Sequence, residues 1–159
     1  MLKNRCRRLL LLITVALTMV GCNRKTIYSH YEPTPLAGWD RNDTLTFCVA
    51  PIPADGLYHE EVGLRTSSAF PFKGLTLVVE QRTLHAFMMR TDTLSAQLME
   101  SDGTIQGQGI SYFQYSFPLT DVYLNVGDTL MVSVRHVMKR EVLPGVSDVG
   151  VTVAVQNEK

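Results

Sequence analysis

Asp148-Val149-Gly150-Val151-Thr152-Val153-Ala154-Val155 places a valine at every second position, the cleanest alternation in the chain. Side chains repeat every two residues along a strand, so these valines share one face and the residues between them the other. The same period recurs upstream. Leu45, Phe47 and Val49 oppose Thr44, Thr46 and Cys48, and Tyr58, Glu60, Val62 and Leu64 oppose Leu57, His59, Glu61 and Arg65. Leu75, Leu77 and Val79 are followed by Leu84, Ala86 and Met88, then by Leu94, Ala96 and Leu98. Tyr112 to Phe117 is an aromatic run with Phe113, Tyr115 and Phe117 inward, and Leu130, Val132 and Val134 precede the last strand. Turn chemistry separates these runs: Pro51-Ile52-Pro53-Ala54-Asp55-Gly56, Ser101-Asp102-Gly103, Gly107-Gln108-Gly109 and Asn125-Val126-Gly127-Asp128. Seven to nine short runs without a 3.6-residue stripe predict an all-β domain of antiparallel strands. Its closure is a two-sheet β-sandwich, immunoglobulin-like or jelly-roll. Val151→Asp belongs among the most damaging single changes, since burying one such valine is worth on the order of 1.5–3 kcal/mol.

The amino terminus reads differently. Lys3, Arg5, Arg7 and Arg8 precede an apolar run from Leu9 to Val20, the charged and hydrophobic regions of a secretory signal too short for a permanent span. Met19-Val20-Gly21-Cys22 closes it with a small residue followed at once by cysteine, the bacterial lipobox pattern, with Met19 where Leu is usual. Residues 1–21 are therefore expected to be a signal peptide cleaved before an acylated Cys22. Residues 22–38 read as a lipidated, extended tether, kept from helix by Pro33 and Pro35, and 39–159 as one sandwich domain.

Processing changes the charge and the thiol chemistry. Removing 21 of 159 residues leaves 138, with eleven basic against fifteen acidic residues, a net charge of −4. A mildly acidic body without a Lys/Arg stripe argues against nucleic acid as a partner. Cys6 departs with the leader and Cys22 is acylated, so Cys48 alone remains and no intramolecular disulfide is expected. Cys48 reads as a small buried hydrophobe.

No chemistry-bearing constellation emerges. His30 lies in the tether, while His59, His85 and His136 each sit in a strand-like run without zinc-ligand spacing. The chain has no H-E-x-x-H, C-x-x-C, G-x-S-x-G or Walker-type loop. Glu60 and Glu61 are adjacent strand residues and point to opposite faces, so they cannot act as an acid/base pair across one bond. The expectation is a non-enzyme with no cofactor and no metal. Trp39 plugs the end of the sandwich or offers a stacking face for a glycan or peptide, with Tyr112 to Phe117 joining it in the glycan reading. Arg65, and Arg135, Lys139 and Arg140 before the loop Glu141 to Asp148, are edge charges or the basic rim of a partner site.

Taken in order, Gly38-Trp39-Asp40, Asp43-Thr44-Leu45-Thr46-Phe47, Leu64-Arg65-Thr66, Phe70-Pro71-Phe72, Leu75-Thr76-Leu77, Asp92-Thr93-Leu94, Gly107-Gln108-Gly109-Ile110, Val137-Met138-Lys139-Arg140 and Leu143-Pro144-Gly145-Val146-Ser147-Asp148-Val149-Gly150 resemble the gliding-motility lipoprotein GldH family of Bacteroidetes. Gly74 and His136-Val137-Met138-Lys139 depart from that pattern. The resemblance implies a non-catalytic cell-envelope lipoprotein that supports gliding machinery, type IX secretion or envelope assembly. Its expected contacts are the bilayer, through acylated Cys22, and other envelope proteins. The candidate partner-binding residues are Trp39, Asp40, Arg65, Arg140, Pro144, Gly145 and Asp148. The alternative is a glycan- or peptidoglycan-binding module. Asn23-Arg24-Lys25 lacks the acidic stretch that marks surface export in similar lipoproteins, which points to the periplasmic face of the outer membrane.

Overall fold

The computed structural model describes residues 25–49, 51–85 and 87–156. The expected signal peptide, Cys22, Asn23 and Arg24 lie outside the described residues. Eleven strands follow in order: β1 Thr26–Pro33, β2 Trp39–Asp40, β3 Leu45–Val49, β4 Gly56–Ser67, β5 Gly74–Thr83, β6 Met89–Gln97, β7 Tyr112–Pro118, β8 Val122–Leu124, β9 Leu130–His136, β10 Val142–Leu143 and β11 Val146–Val155. β2, β8 and β10 have two or three residues each. The eight longer strands fall within the expected seven to nine. No helix among the described residues is long and apolar enough to cross a membrane.

The strands form two sheets, β1-β11-β4-β7 with β8 extending β7 along β4, and β3-β9-β5-β6, plus a β2-β10 ribbon. All pairings are antiparallel. Numbered among the eight long strands alone, the sheets read 1-8-3-6 and 2-7-4-5. That is the double Greek-key order of a jelly roll, which resolves the two sandwich types left open by periodicity. The core lies between the sheets: Val62 and Leu64 from β4 and Val149, Val151 and Val153 from β11 face Leu75, Leu77 and Val79 from β5 and Leu130, Val132 and Val134 from β9. The alternating valines are buried as the period requires, except Val155 at the strand end, which is half-buried.

Four expectations are corrected. Thr26–Pro33 is extended, but it is no free tether: β1 pairs along its length with β11, so the sheet begins at Thr26 and not at Trp39. Its pattern hid this because it is an edge strand, only half-buried, and its partner lies more than a hundred residues away. Cys48 is exposed. Period two fixes that outcome, since Phe47 and Val49 take the inward face of β3. His85 is in no strand; it follows β5 in an exposed turn, its backbone N–H donating to Asp128 Oδ1 (3.1 Å). The expected loop Glu141 to Asp148 is mostly strand, β10 and the start of β11, with Pro144-Gly145 as the tight turn between them.

The register also fixes which loops share an end. Lys25, Val155, Tyr58 and Val122 form one row across the first sheet. Beyond that row lie residues 51–55, 84–85, 87–88 and 125–129, and Gln156. At the opposite end lie 34–44, 68–73, 98–111 and 137–145. β1 connects the two ends over eight residues, about 25 Å at the rise of a strand.

Candidate functional site

The end opposite Lys25 holds five of the seven candidate residues. Trp39 is 0% exposed. Its indole Nε1–H donates to the Asp43 carbonyl (3.0 Å), and its ring meets His136 edge-on at 5.1 Å and 70°. His136 Nε2–H donates to the Trp39 carbonyl (3.0 Å). Burial holds the imidazole pKa below its ordinary value, against the Trp39 carbonyl and Asp40, which raise it. Trp39 therefore plugs the sandwich, as one of its two expected roles required, and no face is left for a sugar ring. Asp40 caps its own turn, accepting from Asn42 N (2.8 Å). Pro144-Gly145 is seated against the segment after β4: Gly145 has φ +81°, and a Cβ there would meet Phe70 N at 2.4 Å. Ser67 N donates to its carbonyl (2.7 Å). These four residues build the end rather than cover it.

What this end presents outward is different. Arg140 is exposed, with Nε donating to the Val142 carbonyl (3.0 Å). Around it stand Lys139, the pair Arg41 and Glu141 (3.6 Å), and the exposed apolar residues Leu36, Val137 and Val142. Leu36 and Val142 carry no motif. Leu36 was legible only as an apolar residue inside a Pro-Gly turn.

Arg65 and Asp148 lie elsewhere, on the outer face of the first sheet, as register partners in β4 and β11. The Arg65 guanidinium sits 4.0 Å from the centroid of the Tyr31 ring, and its Nε donates to Gln114 Oε1 (3.3 Å). The Tyr31 ring occupies the space where Gly63 and Gly150 would carry side chains: a Cβ at Gly150 would meet the ring at 2.7 Å. Burial raises the Tyr31 phenol pKa, Arg65 lowers it, and Glu61 and Asp148 add to the rise. Glycines inside two strands that neighbour each other were the available signal for this seat.

Further along the same face, His59 Nδ1 is 2.7 Å from Asp121 Oδ1 and Nε2 is 3.2 Å from Glu61 Oε1. Ser116 Oγ donates to Glu61 Oε2 (2.7 Å). The residue types are those of a hydrolytic triad, but the order is wrong. Both imidazole nitrogens meet carboxylates, so the serine hydroxyl faces the Glu61 carboxylate and not the imidazole. Among the described residues no three His, Cys, Asp or Glu side chains gather to hold a metal ion.

Glu60 points the other way from Glu61, as alternation requires, and is 0% exposed between the sheets. Burial pushes its carboxyl from the ordinary 4.5 up to about 7; Arg90 pulls it down, while Asp92 and Asp121 push further up. Gln81, equally buried on β5, faces it, and neither side chain gains a well-aligned hydrogen bond among the described residues. Arg90 is taken up by Asp92 (2.9 Å) and the Thr120 carbonyl (3.3 Å). Periodicity showed the direction of Glu60 but not the depth, which depends on the facing sheet.

The aromatic run is mostly core. Tyr115 and Phe117 stack at 6.2 Å with an interplanar angle of 8°, and only Tyr112 stands out to solvent. Beside it, between the edges of β6 and β7, a cleft is lined by the amides of Gln97, Gln106, Gln108 and Gln114 with Ser116.

The chain is similar to known proteins at two levels. A gliding motility lipoprotein GldH from Flavobacterium johnsoniae is 25% identical over 147 residues, covering 88% of this chain and 91% of that protein. Among solved structures, a family 35 carbohydrate-binding module from Clostridium thermocellum aligns over 80% of this chain and 87% of its own, with 14% identity and a TM-score of 0.42. The Eiger TNF of S. frugiperda aligns over 86% of this chain and 97% of its own, with 10% identity and a TM-score of 0.37. At these scores neither structure carries an argument about this chain. The profile of the GldH lipoprotein family matches residues 26–153, both sheets almost entire, and the chain belongs to that family.

Proposed function

We propose that this lipoprotein is a non-catalytic accessory subunit that supports gliding machinery, type IX secretion or envelope assembly by docking other envelope proteins at the end of the sandwich farthest from its anchor. Acylated Cys22 holds it to the membrane, on the periplasmic face of the outer membrane. The observation that carries the reading is the placement of β1. It starts four residues after Cys22 and runs about 25 Å toward the end that Trp39 plugs. The exposed residues Leu36, Val137, Val142, Lys139 and Arg140 thus face away from the bilayer and combine apolar with charged side chains, as protein interfaces do. Arg65 and Asp148 belong to the sheet face and serve the fold of β1; Arg140 is the residue of the candidate set best placed to touch a partner.

Crosslinking in intact cells followed by pull-down from envelope fractions tests this. Specific partners are expected with the wild type and should be lost on Leu36→Glu with Arg140→Glu, in protein whose circular dichroism is unchanged. An identical partner set from the double variant overturns the reading. One observation favours a second function: the four-glutamine cleft offers amides that could hydrogen-bond a glycan. Retention on isolated sacculi, abolished by Gln108→Ala with Gln114→Ala, would support it, and no retention would dismiss it.

A further inference from the structure

The exposed large hydrophobic residues divide between the two ends of the sandwich. One group belongs to the far end described above. The other comprises Leu57, Leu84, Phe87, Met89, Tyr123 and Val126, all at the end where β1 begins. Phe87 is 88% and Met89 80% exposed. Phe87 also has φ +51°, the one non-glycine residue with positive φ among those described, and a backbone conformation that a bulky residue rarely adopts. The β5–β6 turn thus spends backbone strain to present an aromatic ring to the outside. The neighbouring turn adds Val126, whose N–H is capped by Asp55 Oδ1 (2.7 Å). Asp128, the other acid of this end, is buried. The exposed cations here are Lys25 and Arg82.

We infer that this apolar tip, formed by Leu84, Phe87, Met89 and Val126, enters the interfacial region of the bilayer that holds the anchor. The inference rests on acylation at Cys22. The occupant follows from chain length. Three residue steps separate Cys22 from Lys25 and reach at most about 10 Å. Lys25 lies level with Val155 and Tyr58, and Leu84, Phe87 and the 125–129 turn lie beyond that row, toward the membrane. A link so short holds the tip against the lipid surface. An aromatic ring and a thioether suit the boundary between head groups and acyl chains, and Lys25 and Arg82 suit anionic head groups. The lipid chains and the protein tip then form one two-point attachment that fixes which end of the jelly roll faces outward.

The test uses the full acylated protein in vesicles of phosphatidylethanolamine and phosphatidylglycerol, part of the lipid carrying bromine on its acyl chains. The wild type has one tryptophan, Trp39, at the far end, and serves as the unquenched reference. Phe87→Trp adds a second indole at a position exposed enough to accept it without repacking. The emission added by this substitution should be blue-shifted and largely quenched by brominated lipid, with the wild-type emission unchanged. Unquenched emission from protein that floats with the vesicles overturns the inference. A blue shift without quenching, weakening as the protein is diluted in the vesicles, identifies a second copy as the occupant and also overturns it. Protein that fails to float defeats the acyl-anchor reading itself, and the tip proposal falls with it.

Discussion

Glu60→Gln isolates a carboxyl group buried between the sheets. In the folded chain its carboxyl binds a proton up to about pH 7, whereas in the unfolded chain it releases that proton near 4.5. Below 4.5 both states are protonated and the group is silent. Between 4.5 and 7 the native state holds a proton that the unfolded state has lost, so stability falls as pH rises. At about 1.4 kcal/mol for each pH unit, the loss approaches about 3 kcal/mol by pH 8. Glutamine keeps the shape and cannot titrate. The variant should match the wild type near pH 4.5 and exceed it by about 2–3 kcal/mol at pH 8, a gap set by the same linkage. His136 acts with the opposite sign in this window: its depressed pKa means that the unfolded state takes up the proton first, so stability falls as pH drops below its ordinary 6.5. The wild-type profile alone is therefore flattened, and the difference between the two proteins is the quantity to read. Urea unfolding followed by the fluorescence of Trp39, buried beside His136, gives it at each pH. A difference independent of pH, or a wild type that gains on the variant as pH rises, refutes the argument.

Other outcomes follow from the same geometry. Trp39→Ala empties the plug of the sandwich and should cost about 3–5 kcal/mol, the range for a large aromatic removed from a core, seen as a lowered melting midpoint by circular dichroism. Cys48 should react with a maleimide in the native protein as fast as in denaturant, one thiol per processed chain; protection until unfolding would contradict its place on the open face of β3. Gly150→Ala forces a methyl into the Tyr31 ring and should cost on the order of 1–3 kcal/mol in thermal melts, with most of that cost gone in a Tyr31→Ala background.

Local rules carried the reading of the chain as far as they reach. Val149 to Val155, Leu45 to Val49 and the Asn125–Asp128 turn were legible because period two and turn chemistry are written in neighbouring residues. The jelly-roll order was not, because it depends on pairings such as β1 with β11, between the first and last strands. Val142-Leu143 escaped notice for a similar reason: two residues show no period, and their partner is the two-residue β2. The opposite directions of Glu60 and Glu61 could be read; that one is sealed inside and the other joins His59 and Ser116 could not, since that is decided by β5, β7 and the segment before β8. The candidate set mixed two kinds of residue for want of depth. Trp39, Asp40, Pro144 and Gly145 are distinctive in sequence because the end of the sandwich needs them, whereas the exposed Leu36 and Val142 carry no pattern at all.

The seat of Tyr31 shows what holds the anchor strand in place. β1 is an edge strand with few buried side chains, and its pairing with β11 is irregular between Thr26 and Tyr28. A short edge strand at the junction with a membrane anchor should peel away easily, and a free chain of seventeen residues would let the domain wander by about 20–25 Å. Tyr31 opposes that. It leaves β1, crosses the bare backbone of Gly150 and Gly63, and lies beneath the Arg65 guanidinium, so one ring spans β1, β11 and β4. A stack of this kind contributes on the order of 1 kcal/mol beyond the area it covers, enough to shift a frayed strand towards the docked state. Tyr31→Ser should therefore raise amide exchange in 26–33 while the amides of β4 and β9 keep their protection. Exchange that rises equally in β9, or not at all in β1, would mean that the hydrogen bonds of β11 hold the strand without help and that the two interior glycines have some other cause.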